Sequence, residues 1–171
     1  TREAAAAGAA AVRVDYEPLP HRFDAAPSAE VLTADDLSNG DAAAALAASD
    51  VVVSALYTTP FQAHLATERE AGVAYWEDPG GALRVGQRLW EDPTARLVVV
   101  YGSHKPHWNL GYLSEILSLP RERLRIITPP TGGSFGARQD VYPAAAVALA
   151  AYHTGRPVRL EYTRREVMEA A

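Results

Sequence analysis

Leu124-Arg125-Ile126-Ile127-Thr128, then Pro130-Thr131-Gly132-Gly133-Ser134-Phe135-Gly136-Ala137-Arg138, then the alanine-rich run from Val141 to His153, is the stretch that decides the fold. The first segment alternates apolar and polar residues, as a half-buried strand does. The last reads as a helix stopped by Gly155 and Pro157. Strand, glycine-rich loop and helix in that order predict a crossover unit. Three glycines let the backbone come close to something bulky, and the following helix start is expected to aim unpaired N–H groups at it. Anionic or oxo-bearing ligands suit such a place; a tight turn with glycines for sterics alone is the alternative. The spacing is neither that of a P-loop, which needs Gly-Lys-Ser/Thr, nor that of a dinucleotide fingerprint.

Outward from this unit, punctuation divides the chain. Arg96 to Tyr101 is the strongest strand, a Leu-Val-Val-Val-Tyr run suited to a buried sheet. Leu110, Leu113, Ile116 and Leu117 recur at helical spacing, with Pro120 expected to end that helix. Gly72 to Glu77 and Leu83 to Leu89 read as strand partners across an Asp78-Pro79-Gly80-Gly81 turn, and Glu91-Asp92-Pro93 as a second turn. Val158 to Tyr162 is a final strand, and Glu166 onwards reads as helix. Earlier in the chain come a helix from Ala4 to Ala11, a strand from Val12 to Tyr16, a short helix from Asp41 to Ala48, and a β-rich run from Val51 to Tyr57. Two successive strand–helix–strand crossovers predict an α+β (mixed α/β) fold on a mixed sheet. Tyr57, Trp76, Trp90 and Tyr152 lie on apolar faces and are read as core.

Composition bounds the function. The 171 residues suffice for one ordinary domain or a domain plus part of another. A net charge of −5 argues against nucleic acid as a partner. No cysteine is present, so disulfides, thiolate metal sites and iron–sulfur clusters are excluded within the chain. No run approaches the ~20 apolar residues of a membrane span, and the opening lacks the basic start of a signal peptide. A cytoplasmic location is expected. The chain opens on Thr1 inside one helical pattern and stops at Ala171 inside another, so it reads as an internal piece of a longer protein.

Gly132-Gly133-Ser134-Phe135-Gly136-Ala137-Arg138 resembles the Gly-Gly-x-Phe-Gly-x-Lys/Arg loop of the xanthine dehydrogenase/aldehyde oxidase family of molybdenum hydroxylases. Four further segments resemble that family in its order. They are Val12-Arg13-Val14-Asp15-Tyr16-Glu17-Pro18-Leu19-Pro20; Gln62-Ala63-His64-Leu65-Ala66-Thr67-Glu68; Leu119-Pro120 with Leu124-Arg125-Ile126-Ile127; and Thr154-Gly155-Arg156-Pro157-Val158-Arg159-Leu160 with Arg164-Arg165-Glu166.

The resemblance implies a parent enzyme that hydroxylates aldehydes or aromatic heterocycles, or oxidises carbon monoxide, with oxygen from water. It implies a molybdenum–molybdopterin cofactor, in the plain or the cytosine dinucleotide form. It also implies [2Fe-2S] and FAD groups on partner domains or subunits, a small-molecule substrate, and an oligomeric full-length protein. Residues 1–20 would end a preceding hammerhead-like domain, 21–50 would link, and 51–171 would begin the cofactor-binding domain. Gly132, Gly133, Ser134, Phe135 and Gly136 map onto the loop against the cofactor, and His104 onto a position where the family often places a glutamine. The family's general base would lie beyond Ala171, so no catalytic residue is assigned here and the piece alone is expected to be inactive.

Two departures qualify the carry-over: His104 replaces that glutamine, and Gln139 stands where several purine- and aldehyde-handling members have glutamate. A purine is therefore the less expected substrate. Two other readings stay open: a non-catalytic binding or assembly module derived from the family, and a nucleotide-binding domain using the glycine loop. His64 and Glu68, at i and i+4, could place two ligands on one helical face, but they make an incomplete metal site, and a structural hydrogen bond or an exposed pair is the preferred reading. His107 shares the strand-end position with His104, where a side chain can be aimed into a pocket.

Overall fold

The computed structural model describes residues 1–20, 33–60 and 62–170. The chain divides into two compact units, Thr1–Leu56 and Tyr57–Ala171. In the first unit, α1 (Arg2–Ala11) is capped by the Thr1 hydroxyl, which accepts from the Ala4 N–H at 3.2 Å. Helix α2 (Ala42–Ala47) is capped by Asp41, whose carboxylate accepts from the Ala44 N–H at 2.9 Å. Neither helix buries a residue. Val12 to Tyr16 was expected as a strand and forms none: Val12, Val14 and Tyr16 are exposed and find no ladder partner among the described residues. Residues 21–32 of the expected 21–50 linker lie outside the described residues, and its remainder carries α2.

The second unit is a mixed sheet with helices. Its strands are β1 (Ala71–Glu77), β2 (Leu83–Arg84), β3 (Arg96–Tyr101), β4 (Leu124–Ile127) and β5 (Val158–Glu161). Strand β1 pairs antiparallel with β3 on one side, and on the other with β5 over Ala71–Ala74 and β2 over Trp76–Glu77. Strand β3 pairs parallel with β4, joined by the crossover helix α3 (Pro106–Leu117). Helix α4 (Tyr142–Thr154) carries the chain from β4 to β5, across the sheet, and α5 (Arg164–Glu169) follows. The mixed α/β architecture expected from the alternation of elements is what forms.

Period-two alternation explains the core. Ala74 and Trp76 face the same side as Leu97, Val99, Tyr101 and Leu124, and Leu113, Leu117, Val147, Ala148 and Ala151 of the helices close over them. The Trp76 indole donates to the Ala151 carbonyl at 3.1 Å. Trp90 and Tyr152 stack at 4.8 Å on the edge of this core. Tyr57 is not core: it is 85% exposed, in the extended run from Val51 that pairs with no strand among the described residues.

The expected strand from Leu83 to Leu89 stops after two residues. Gly86 turns aside to donate its N–H to the Gly155 carbonyl at 3.0 Å, and Arg88 adopts a left-handed conformation before a short 3-10 turn at Leu89–Glu91. Helix α3 ends at Ser118, also left-handed, two residues before the expected Pro120.

Candidate functional site

The chain leaves β4 at Ile127 and reaches Pro129 and Pro130, neither of which can donate to a ladder. The loop that follows is fixed on two sides. On one, the segment around His64–Glu70 runs directly against it. The Glu68 carboxylate accepts from the Gly132 N–H at 2.5 Å, while the Glu68 N–H donates to the Gly132 carbonyl at 3.3 Å. A Cβ at Gly132 would lie 2.9 Å from Glu68 Cβ, one at Gly133 3.3 Å from Ala66 Cβ, and one at Gly136 2.9 Å from His64 Nε2. The space the glycines free is thus occupied by this chain's own segment. On the other side, the His104 N–H donates to the Arg138 carbonyl at 3.0 Å, and Gly102 leaves room for Thr131 and the Arg138 guanidinium.

Arg138 is the centre of the arrangement. It is 1% exposed. Its guanidinium donates to Glu70 Oε2 at 2.7 Å, lies 3.3 Å from Glu68 Oε2, and reaches the Glu68 carbonyl at 3.3 Å and the Gly133 carbonyl at 3.4 Å. A buried cation with two carboxylates and two carbonyls satisfies the requirement that interior charge be paired. Burial pushes the Glu70 carboxyl up; Arg138 opposes that, and the Glu68 and Asp140 carboxylates reinforce it. Ser134 is buried, and its hydroxyl accepts from the Arg138 N–H at 3.3 Å.

The loop keeps a run of backbone donors. Gly133, Phe135 and Gly136 all have positive φ, and Phe135 is 77% exposed. Among the described residues, the N–H groups of Gly133, Ser134, Phe135 and Gly136 find no partner. Backbone amides left free in this way can donate to oxygen-bearing or anionic groups. The helix start does not share in it, contrary to the sequence expectation. A 3-10 turn at Ala137–Gln139 intervenes, its N–H groups bonded back to Ser134 and Gly136, and α4 opens only at Tyr142 with Pro143 as its second residue.

The expected residues therefore stand as follows. Gly132 to Gly136 form one loop, and His104 is tethered to it through backbone, with its side chain exposed. His107 lies in the first turn of α3, exposed, and lines a shallow groove with Trp108 and Tyr112. His64 and Glu68 are not on a helix, so the i, i+4 argument does not apply; Glu68 makes a structural hydrogen bond and His64 lies over Gly136. Among the described residues no group of three or more His, Cys, Asp or Glu side chains converges as a metal site. A cavity of about 230 Å³ adjoins the loop, lined in part by His64, Glu70, Asp140, Tyr142 and Tyr162. Glu70 and the buried state of Arg138 were missed by sequence reading, because their partnership spans 68 residues.

Comparison with known proteins assigns the family. The profile of the molybdopterin cofactor-binding domain matches residues 23–171, and the chain belongs to that family. The nicotinate dehydrogenase large molybdopterin subunit of Eubacterium barkeri is 34% identical over 130 residues, covering 76% of this chain and 27% of its own. The aldehyde oxidoreductase molybdenum-binding subunit PaoC of Escherichia coli (strain K12) is 33% identical over 133 residues, 77% of this chain and 16% of its own. Among solved structures, quinoline 2-oxidoreductase from Pseudomonas putida 86 superposes with a TM-score of 0.56 at 21% identity, over 74% of this chain and 14% of that one, a likeness of fold. The chain thus spans about a quarter or less of the proteins it matches.

Proposed function

We propose that this member of the molybdopterin cofactor-binding family supplies one wall of the active site of a molybdenum hydroxylase of the xanthine dehydrogenase/aldehyde oxidase type. Gly132, Gly133, Ser134, Phe135 and Gly136 lie against the cofactor in this reading, with His104 beside it. The observation that carries it is the run of unpartnered amides at Gly133–Gly136, in a loop held on two sides by this chain's own residues. Such donors fit the oxygen-rich cofactor named by the family. When bound, that cofactor would supply the two-electron chemistry that adds oxygen from water to an aldehyde or aromatic heterocycle, or oxidises carbon monoxide.

The chain's own residues bind and orient. The loop amides donate to cofactor oxygens, and Phe135 sheds water from the face it covers. The exposed His104 imidazole offers one N–H donor from a backbone pinned to Arg138. The general base belongs outside residues 1–171, and the isolated piece neither retains cofactor nor turns over substrate. The names of the relatives support an aldehyde or nitrogen heterocycle as substrate, and Gln139 in place of a glutamate disfavours purines. The rest of the proposal is a cytosine dinucleotide or plain pterin, [2Fe-2S] and FAD partners, an oligomeric cytoplasmic enzyme, and residues 1–20 ending a hammerhead-like domain. In it, residues 21–50 link and 51–171 begin the cofactor domain. Among the described residues no helix is long and apolar enough to cross a membrane.

His104→Ala and Phe135→Ala in the full-length protein test the reading. Both side chains are exposed, so neither truncation should lower thermal stability appreciably. His104→Ala is expected to keep its molybdenum and lose about 10²–10³ in turnover, the usual effect of one positioned donor. Phe135→Ala is expected to lose molybdenum and pterin on purification. Unchanged kinetics across pH together with unchanged metal would remove the loop from the site.

A further inference from the structure

An ion cluster stands against the loop and touches it at Gly132 and Gly133. Glu68 grips Gly132 twice, through its own N–H and through its carboxylate, and the same carboxylate lies 3.3 Å from Arg138. Arg138 spends its three guanidinium nitrogens on Glu70, on Glu68 and its carbonyl, and on the Gly133 carbonyl. Its own carbonyl accepts from His104. One cluster thus sets both the loop and the backbone of His104.

We infer that Glu68, Arg138 and Glu70 act as positioning residues, an ionic latch around the buried Arg138 that holds Gly132–Gly136 in the conformation seen here before any cofactor arrives. Glu68 is its most informative member, because its side chain is only part-buried and can be altered without opening the core. A glutamine there still offers a carbonyl to the Gly132 N–H, whereas an alanine offers nothing. What the loop presents itself to rests on the function proposed above; the latch itself does not.

The test uses the full-length protein, with amide hydrogen exchange over residues 130–140 of cofactor-free material and molybdenum content of the purified protein. Glu68→Ala should speed exchange of the Gly132 amide and those of the 3-10 turn by roughly tenfold or more, as loss of a charge-assisted hydrogen bond implies. Exchange in β3 and α4 should be unchanged, and molybdenum content should fall severalfold. Glu68→Gln, which keeps a carbonyl for the Gly132 N–H but loses the charge beside Arg138, should fall between Glu68→Ala and wild type in both exchange and metal content. Arg138→Lys, which cannot span the carboxylates and carbonyls with one ammonium, should behave like Glu68→Ala. Wild-type exchange in Glu68→Ala would overturn the latch. So would a Glu68→Gln protein as impaired as Glu68→Ala, or exchange that rises equally throughout β1, β3 and α4. Wild-type protein free of molybdenum would sink the proposed function instead, while the exchange measurements would still decide the latch.

Discussion

Gly136 shows how a single residue can carry two constraints at once. Its φ is +112°, and a Cβ there would meet the His64 imidazole 2.9 Å away. Gly136→Val would therefore be strained by about 1–3 kcal/mol whether or not a cofactor lies against it, which is why exposed Phe135 and His104 are the better probes. Asp92 gives a residue-scale prediction of a different kind. Hydrogen bonds from the Thr94 hydroxyl and N–H, with Arg84 beside them, hold its carboxyl down to about 2, against an ordinary 3.8. A depressed carboxylate stabilises the fold above the unfolded value and loses that contribution as pH falls toward the folded one. Asp92→Asn should accordingly lower the urea midpoint at pH 6. The difference from wild type should shrink between about pH 4 and pH 2 and vanish below; a difference independent of pH would contradict the assignment. At this scale the loop residues were legible in order and type. The Arg138–Glu70 pair was not, because nothing local marks two residues 68 apart as partners.

At the scale of elements, what was legible depended on whether an element carries its own cause. Strands β1, β3 and β4 and helices α3 and α4 announce themselves by period and composition. Val12–Tyr16 and Val51–Tyr57 have the same β-rich composition but no partner among the described residues, and a strand without a ladder is only extended chain. Strand β2 is cut short by a tertiary contact, the approach of Gly86 to Gly155. That contact makes Gly155 the most demanding glycine of the second unit. It closes α4 at φ +62°, and a Cβ would drive directly into the Gly86 carbonyl. Gly81 has φ +85° but open space around it. Gly81→Ala should cost about 1 kcal/mol from backbone conformation alone, and Gly155→Ala at least about 2–3 kcal/mol more, read from urea unfolding. Equal losses at the two sites would mean that the Gly86 contact is not part of the folded state.

At the scale of the whole molecule, the sheet and two crossover helices carry a loop whose Gly133–Gly136 amides find no partner among the described residues, held by a latch made of distant segments. Family membership over residues 23–171 names molybdopterin as the cofactor of the domain, and the chain spans about a quarter or less of the relatives it matches. The most direct test is metal and pterin analysis of the full-length protein purified from its native host. The account predicts molybdenum approaching one atom per chain with an extractable pterin. Protein that is fully folded yet carries neither, or that carries a nucleotide in their place, would contradict it.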